Sequence, residues 1–281
     1  MLSVTQLIVS PETMASSNPA FSRNAAFGAP GALASGKALS DSDLQQMYNA
    51  PSAGAQDTDR MTYEDTIAKT ALSFALLVVA AVAAWVVTPT MPMLPILGAV
   101  VGLVLGLVNT FKKVPSPGLI LGYAVAEGLF VGGISNIFDR IYPGVVVQAV
   151  LATLVVVGVT LALFANGKIR ASKRATKVFL VAMVGYMVFS LVNFGLIAFG
   201  AISSPFGLRS AEIFGIPLGV VIGLLAVLMA AYSLVLDFDF IQRGVNNRVP
   251  RKYGWSGAFG LMVTVVWLYV ELLRLFAISR N

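Results

Sequence analysis

Four acidic residues lie inside long apolar segments, where an ionised side chain is costly to bury. They are Glu127, Asp237, Asp239 and Glu271. A charged group inside a membrane usually faces a cavity or a partner, so such residues mark ion or proton paths. Carboxylate oxygens also suit Ca²⁺, a hard cation that prefers oxygen ligands. These residues therefore predict movement of protons or cations through a polar interior.

Helix geometry separates the roles of these acidic residues. Asp237 and Asp239 are two positions apart, which puts their side chains about 200° apart around a helix, so only one of them can face inward. Asp239 has Arg243 four residues later, the spacing of a surface ion pair. We therefore interpret Asp237 as the inward carboxylate and Asp239 as a supporting charge. Glu271 has Arg274 three residues later, so a structural ion pair is its alternative role.

Two carboxylates that meet in a medium of low dielectric repel each other when both are ionised, so such a pair shares a proton. If Asp237 and Glu271 are in contact, loss of that proton separates their helices or recruits a cation. Glu127 lies about 15 Å into its predicted helix, near the midplane. Its alternative role is a neutral carboxyl that hydrogen-bonds a neighbouring helix.

The composition excludes most catalytic chemistry. The chain has 281 residues, of which 57% are hydrophobic and 11% are charged, with no His and no Cys. Because soluble domains are about one quarter charged, this is the composition of a bilayer protein. Without His or Cys there is no Ser-His-Asp triad, no thiol nucleophile and no ordinary zinc site. We expect neither enzymatic activity nor a cofactor.

Long apolar blocks predict an all-α integral membrane protein. A spanning helix needs about 20 mostly apolar residues, and backbone groups in lipid must be satisfied within the helix. Seven blocks meet this requirement, and their short connections make consecutive helices antiparallel. The predicted helices are approximately 70–88, 93–111, 118–138, 145–166, 177–201, 214–240 and 255–277.

The first part of the chain differs from the rest. Seven of the 13 acidic residues precede residue 67, and large apolar residues are few there. Such a segment cannot offset its ordering entropy by burial. We therefore expect residues 1–66 to be a disordered tail and residues 67–281 to form the seven-helix domain. The opening residues lack the pattern of a signal peptide, and Met14 is an alternative start.

Basic residues in the connections predict the orientation. Thirteen Lys and Arg lie on the side of the N-terminal tail and four on the other side. Cytoplasmic loops carry the excess of positive charge, so the tail and the N-terminus are expected in the cytoplasm. Charges divided among membrane loops do not form a nucleic-acid interface. Abundant Ala, Gly and Val without Cys favour a bacterial plasma membrane over an organelle.

Glycines recur at every fourth position in the second and sixth predicted helices. This spacing strips one helix face of side chains and lets another backbone approach closely. We interpret both sets as packing surfaces. They are Gly98, Gly102 and Gly106 in the second helix and Gly215, Gly219 and Gly223 in the sixth.

The order of these motifs resembles a known membrane family. Glu127-Gly128 in the third helix, the segment 236–241 at the end of the sixth and the segment 268–276 in the seventh are together similar to the transmembrane Bax inhibitor motif family, and most similar to its bacterial branch. The resemblance covers roughly residues 66–281 and does not extend to the tail.

The resemblance implies a pH-sensitive calcium leak channel or transporter, with six helices around a central seventh. It assigns the proton-sharing gate and sensor to Asp237 and Glu271, which would also be the calcium-contacting residues. A basic residue after the second helix pairs with this dyad in bacterial relatives, and Lys112 or Lys113 has that place here. The chain departs from the family in having Glu271 instead of Asp and Arg274 instead of Asn, so an added cation could hold Glu271 ionised.

Two other classes of function remain open. A proton-coupled transporter for a small solute would use Glu127 and the helix breaks at Pro92, Pro95 and Pro217. A membrane scaffold that modulates a protease or a stress-response partner would use the cytoplasmic tail. The sequence does not identify a protein partner for that tail.

Overall fold

The computed structural model of the protein describes residues 59–280, so Met14 and most of the predicted tail lie outside the described residues. Within the described residues, seven helices are long and apolar enough to cross a membrane, which confirms the predicted all-α integral membrane fold. The helices are α1 (Tyr63–Val87), α2 (Leu94–Phe111), α3 (Pro117–Ile141), α4 (Val145–Ala165), α5 (Lys173–Ala198), α6 (Leu218–Asn246) and α7 (Gly254–Ile278).

A short hairpin precedes α6 and moves its start from the predicted residue 214 to Leu218. Strands β1 (Glu212–Ile213) and β2 (Ile216–Pro217) pair antiparallel. The two residues between them, Phe214 and Gly215, have φ of +55° and +77°. A right-handed helix cannot include such residues, so α6 begins only after the turn.

The helices also extend beyond their predicted ends on the opposite side of the bundle. α1 begins at Tyr63 because the Thr62 side chain caps it by accepting a hydrogen bond from the backbone N–H of Asp65. α6 continues to Asn246. As a result Asp237 lies about 14 Å inside α6, whereas the predicted end at residue 240 put it close to the helix terminus.

α7 is the central helix of the bundle. It has the largest buried share of the seven and packs against α1, α3, α4 and α6. Leu268, Leu272 and Leu273 on α7 are buried in the main apolar core. α2 packs on α3, and α5 packs on α6 with Asn193 as its buried residue. Residues on α7 are therefore held from several sides, which fixes the position of any side chain that it carries.

Glycines allow the closest helix contacts. A Cβ at Gly132 of α3 would lie 2.0 Å from the carbonyl oxygen of Ala81 on α1, and one at Gly98 of α2 would lie 2.7 Å from the backbone of α3. In the sixth helix, Gly219 and Gly223 face α7. Gly215 belongs instead to the β1–β2 turn. α3 thus packs backbone to backbone against both α1 and α2.

The two ends of the bundle are each tied by contacts that are distant in sequence. At the end where α1 begins, here the N-face, the Met61 N–H donates to the Val249 carbonyl at 2.8 Å, and Arg251 pairs with Asp65 at 2.8 Å. At the opposite end, the C-face, Arg280 donates to the carbonyl of Pro143 at 2.6 Å. The α6–α7 connection therefore lies beside the start of α1.

We expect Gly132→Ala to lower the free energy of unfolding by about 1–3 kcal/mol, because an overpacked core must shift to relieve the clash. The measurement is unfolding of the purified protein in detergent. Gly158→Ala is the matched control, since a Cβ there meets nothing within 4 Å and alanine favours the helix. Equal stability of the two variants would contradict the packing role of Gly132.

Candidate functional site

Glu271 is buried and surrounded by donors from three elements. The residue is 2% exposed. Arg274 on the same helix donates to Oε1 at 2.6 Å, and Arg209 from the α5–α6 connection lies 3.4 Å from Oε2. The hydroxyl of Tyr186 on α5 also donates to Oε1. Two guanidinium groups face one carboxylate, so this cluster carries a net charge of about +1. We call it the C-face cluster.

Arg209 is as deeply buried as Glu271, although it belongs to a connection between helices. It is 3% exposed. Its guanidinium lies over the rings of Tyr186 and Phe189, and Nη2 donates to the Tyr186 hydroxyl at 2.9 Å. Nη2 is also 3.4 Å from the Ser190 hydroxyl. The aromatic faces and hydroxyls of α5 thus shape a pocket for this one cation.

A local anchor holds the connection in place. Gly207–Ser210 is a short 3-10 turn in which Gly207 has a φ of +60°, so glycine suits this position. The side chain of Asn193 on α5 accepts from the Leu208 N–H at 2.7 Å and donates to the Phe206 carbonyl at 3.3 Å. This amide fixes the backbone on both sides of Gly207 and thereby directs Arg209 into the bundle.

Asp237 has a different partner on α7. The Thr264 hydroxyl donates to its Oδ2 at 2.6 Å, and Thr264 is 3.2 Å from the Ser233 hydroxyl. A Cβ at Gly260 would lie 3.0 Å from Asp237 Oδ1. Thr264 precedes Glu271 by two helical turns, or about 10 Å. The structure therefore brings Asp237 to Thr264 and gives Glu271 a separate set of partners at another level of α7.

A cavity of about 560 Å³ lies between α3, α5 and α7. Its wall on α7 extends from Val263 to Arg274, about 16 Å along the helix. Glu127 lines the same cavity about 15 Å from the start of α3. A Cβ at Gly102 on α2 would lie 3.0 Å from Glu127 Oε1. The cavity thus extends from the C-face cluster to Glu127.

Glu127, Asp237 and Thr264 lie at similar depths from the N-face. Each is about 14–15 Å along its helix from the end at that face. Glu127 is on the cavity side of α7, whereas Asp237 contacts α7 from α6. Two carboxyl groups therefore flank the central helix at one depth, and the cavity reaches only the first of them.

The other charged residues named from the sequence lie elsewhere. Asp239 pairs with Arg243 at 2.8 Å, and the Arg243 side chain is 66% exposed. Lys112 and Lys113 are exposed just after α2. Among residues 59–280, the ion pairs of Glu271 come from the two arginines of the C-face cluster.

Sequence reasoning did not find Arg209, Tyr186 or Thr264 as site residues. Arg209 was counted only as a charge of the α5–α6 connection. Tyr186 and Thr264 are hydroxyl residues in apolar helices, which is a weak signal by itself. Thr264 and Glu271 are seven residues apart, close to two full turns, so their shared α7 face could have been recognised.

The site offers oxygen ligands but no assembled metal centre. In the part of the chain that the structure describes, no three acidic residues come together as a metal-binding group. A cation in the cavity would meet the carboxyl of Glu127 and hydroxyls such as that of Ser190. Such scattered oxygens suit brief contacts with a hard cation.

Comparison with known proteins identifies the family. A family model described as Bax inhibitor 1 like matches residues 18–281, which is most of the chain, and this confirms the family resemblance noted in the sequence. No curated protein matches the chain.

We expect Glu271→Gln to lower the free energy of unfolding by about 3–5 kcal/mol, because removal of one partner leaves a buried guanidinium without a counter-charge. Asp239→Asn is the matched control and should cost at most about 1 kcal/mol, since its arginine is largely exposed. Unfolding in detergent measures both variants. If the two variants lose similar free energy of unfolding, the buried ion pairs of Glu271 stabilise the fold no more than an exposed one does.

Proposed function

The chain belongs to the Bax inhibitor 1-like family, and we propose that it is a pH-sensitive leak channel for cations, with calcium as the ion that passes. We propose the plasma membrane as its location, with the N-face in the cytoplasm. The excess of basic residues on that side supports this orientation. The choice of calcium rests on the family resemblance and on the preference of this ion for oxygen ligands.

The observation that carries the proposal is the pair of carboxyl groups flanking α7 where the cavity ends. Glu127 lines the cavity, and Asp237 contacts α7 at a similar depth from the other side. Glu127 and Asp237 are partly buried, and carboxyl groups inside a membrane bundle are rare unless they face a polar path or a partner. A cation that enters from the C-face would pass the C-face cluster, then meet Glu127 and then the segment of α7 between Gly260 and Thr264.

The described conformation fits a closed path. The Thr264 hydroxyl holds Asp237 against α7, and the guanidinium groups of Arg209 and Arg274 occupy Glu271. A passing cation would have to replace both sets of contacts. Opening therefore requires α7 to move relative to α6, which carries Asp237, and the turn Gly207–Ser210 to withdraw Arg209 from Glu271.

Proton loss from Asp237 is the proposed trigger. A neutral carboxyl group offers a cation little attraction, whereas a carboxylate in a poorly hydrated interior attracts it strongly. The leak should therefore increase as pH rises and Asp237 becomes ionised. Glu271 is not the trigger in this proposal, because its arginine partners neutralise its charge whether or not Asp237 carries a proton.

A proton-coupled transporter for a small solute is the second candidate. The cavity of about 560 Å³ favours it, because this volume is within the range of small-molecule sites. In this case Glu127 would exchange the coupled proton. Counterflow of a labelled solute in proteoliposomes would support this candidate, and calcium flux without counterflow would support the leak.

We expect Asp237→Asn to hold calcium flux at its low-pH level between about pH 6 and pH 8, because asparagine cannot lose a proton. Flux is measured in proteoliposomes that contain a calcium indicator. Asp239→Asn is the matched control two residues away and should retain the pH dependence. If Asp237→Asn and the wild-type protein give the same pH profile, Asp237 is not the trigger.

We expect a chain that lacks residues 1–58 to retain calcium flux, because the proposed path lies wholly within the helices. Residues 59–62 stay in this variant, since the backbones of Asp59 and Met61 pair with the α6–α7 connection. Flux is measured in the same proteoliposomes. Loss of flux in a folded variant would favour a function that depends on the tail, as expected of a scaffold.

A further inference from the structure

We propose that Arg209 is a tethered cation that occupies the ion site at Glu271 and excludes divalent cations from it. This inference rests on the proposed cation leak and assigns Arg209 as a residue that determines access at the C-face. It concerns the α5–α6 connection, whereas the proposed leak is argued from Glu127 and Asp237, the two carboxyl groups that flank α7.

The position of Arg209 is that of an occupying ion. Its Nη1 lies 3.4 Å from Glu271 Oε2, and its Nη2 lies 2.9 Å from the Tyr186 hydroxyl and 3.4 Å from that of Ser190. A hard cation prefers such oxygen atoms. Arg274 contacts the other carboxylate oxygen, Oε1. Removal of Arg209 would thus leave Oε2 facing the cavity.

The charge of the C-face cluster supports exclusion. With two guanidinium groups and one carboxylate the cluster has a net charge of about +1, and arginine stays charged at any physiological pH. A divalent cation that approaches from the C-face is therefore repelled in a region of reduced dielectric. Without Arg209 the cluster is neutral, the Tyr186 hydroxyl stays beside the carboxylate and the Ser190 hydroxyl stays in the same cavity.

The way Arg209 is held makes it removable. It is carried by the turn Gly207–Ser210 and not by a membrane helix, and that turn is held by the Asn193 amide and by packing of the Arg209 backbone against Gly219 of α6. The turn can leave the cavity without breaking the backbone hydrogen bonds within α5 or α6, although the side-chain bonds from α5 are lost. Its contact with Glu271 is also longer than that of Arg274, 3.4 Å against 2.6 Å.

Terbium luminescence tests the occupied site without measuring transport. Tb³⁺ replaces Ca²⁺ at oxygen sites and emits when a nearby aromatic residue absorbs light, and Tyr186 and Trp267 lie side by side at 6.1 Å. We expect Arg209→Gln in detergent to bind Tb³⁺ on the order of tenfold more tightly than wild type, because a repelling charge is gone. Arg209→Lys should stay close to wild type.

Three further proteins serve as controls. The double variant Arg209→Gln/Glu271→Gln should lose the gain, and Arg243→Gln should bind Tb³⁺ as wild type does, because that arginine is largely exposed. If Arg209→Gln does not fold, Asn193→Ala releases the turn while keeping the arginine and should raise Tb³⁺ binding. No gain in any folded variant, or a gain that persists without Glu271, overturns the proposal.

Calcium flux separates this inference from the proposed function. If Arg209→Gln gains Tb³⁺ binding and also leaks faster than wild type, both are supported. Gained binding without calcium flux in either protein supports the ion site and refutes the leak. Normal pH-dependent flux in wild type, with neither binding nor flux changed by Arg209→Gln, refutes the role of Arg209 and leaves the leak intact.

Discussion

The burial of one carboxylate, that of Glu271, imposes the main constraint on this bundle. A lone ionised group away from water costs several kcal/mol, so it requires cations or donors at close range. α7 supplies Arg274, but the remaining partners, Tyr186 and Arg209, come from α5 and from the connection that follows it. A single acidic residue on the central helix therefore ties α5 and the α5–α6 connection to α7.

The central helix carries polar chemistry at two levels. Near the C-face, charged groups surround Glu271, whereas two turns earlier Thr264 offers Asp237 only a neutral hydroxyl. The two levels differ in how they respond to protons and to ions. Asp237 can gain or lose a proton without breaking an ion pair, but at Glu271 the same change breaks a buried one. In the proposed function, gating and access are therefore assigned to different residues.

The sequence predicted the fold well because length and apolarity decide which segments span a membrane. It failed at residues 214–217, since the positive φ of Phe214 depends on the turn and not on hydropathy. Local spacing also pointed to the contact between Glu271 and Arg274. Arg209 could not be assigned in this way, because only the folded backbone, through Asn193, brings the α5–α6 connection to α7.

Helix α5 is the least buried of the seven, so most of its surface is available to lipid. Its opposite side carries Tyr186, whose hydroxyl joins Glu271 and Arg209. Because a lipid-exposed helix can adjust to bilayer thickness by tilting, α5 links the thickness of the membrane to the hydrogen bonds of the most deeply buried acid in the described chain.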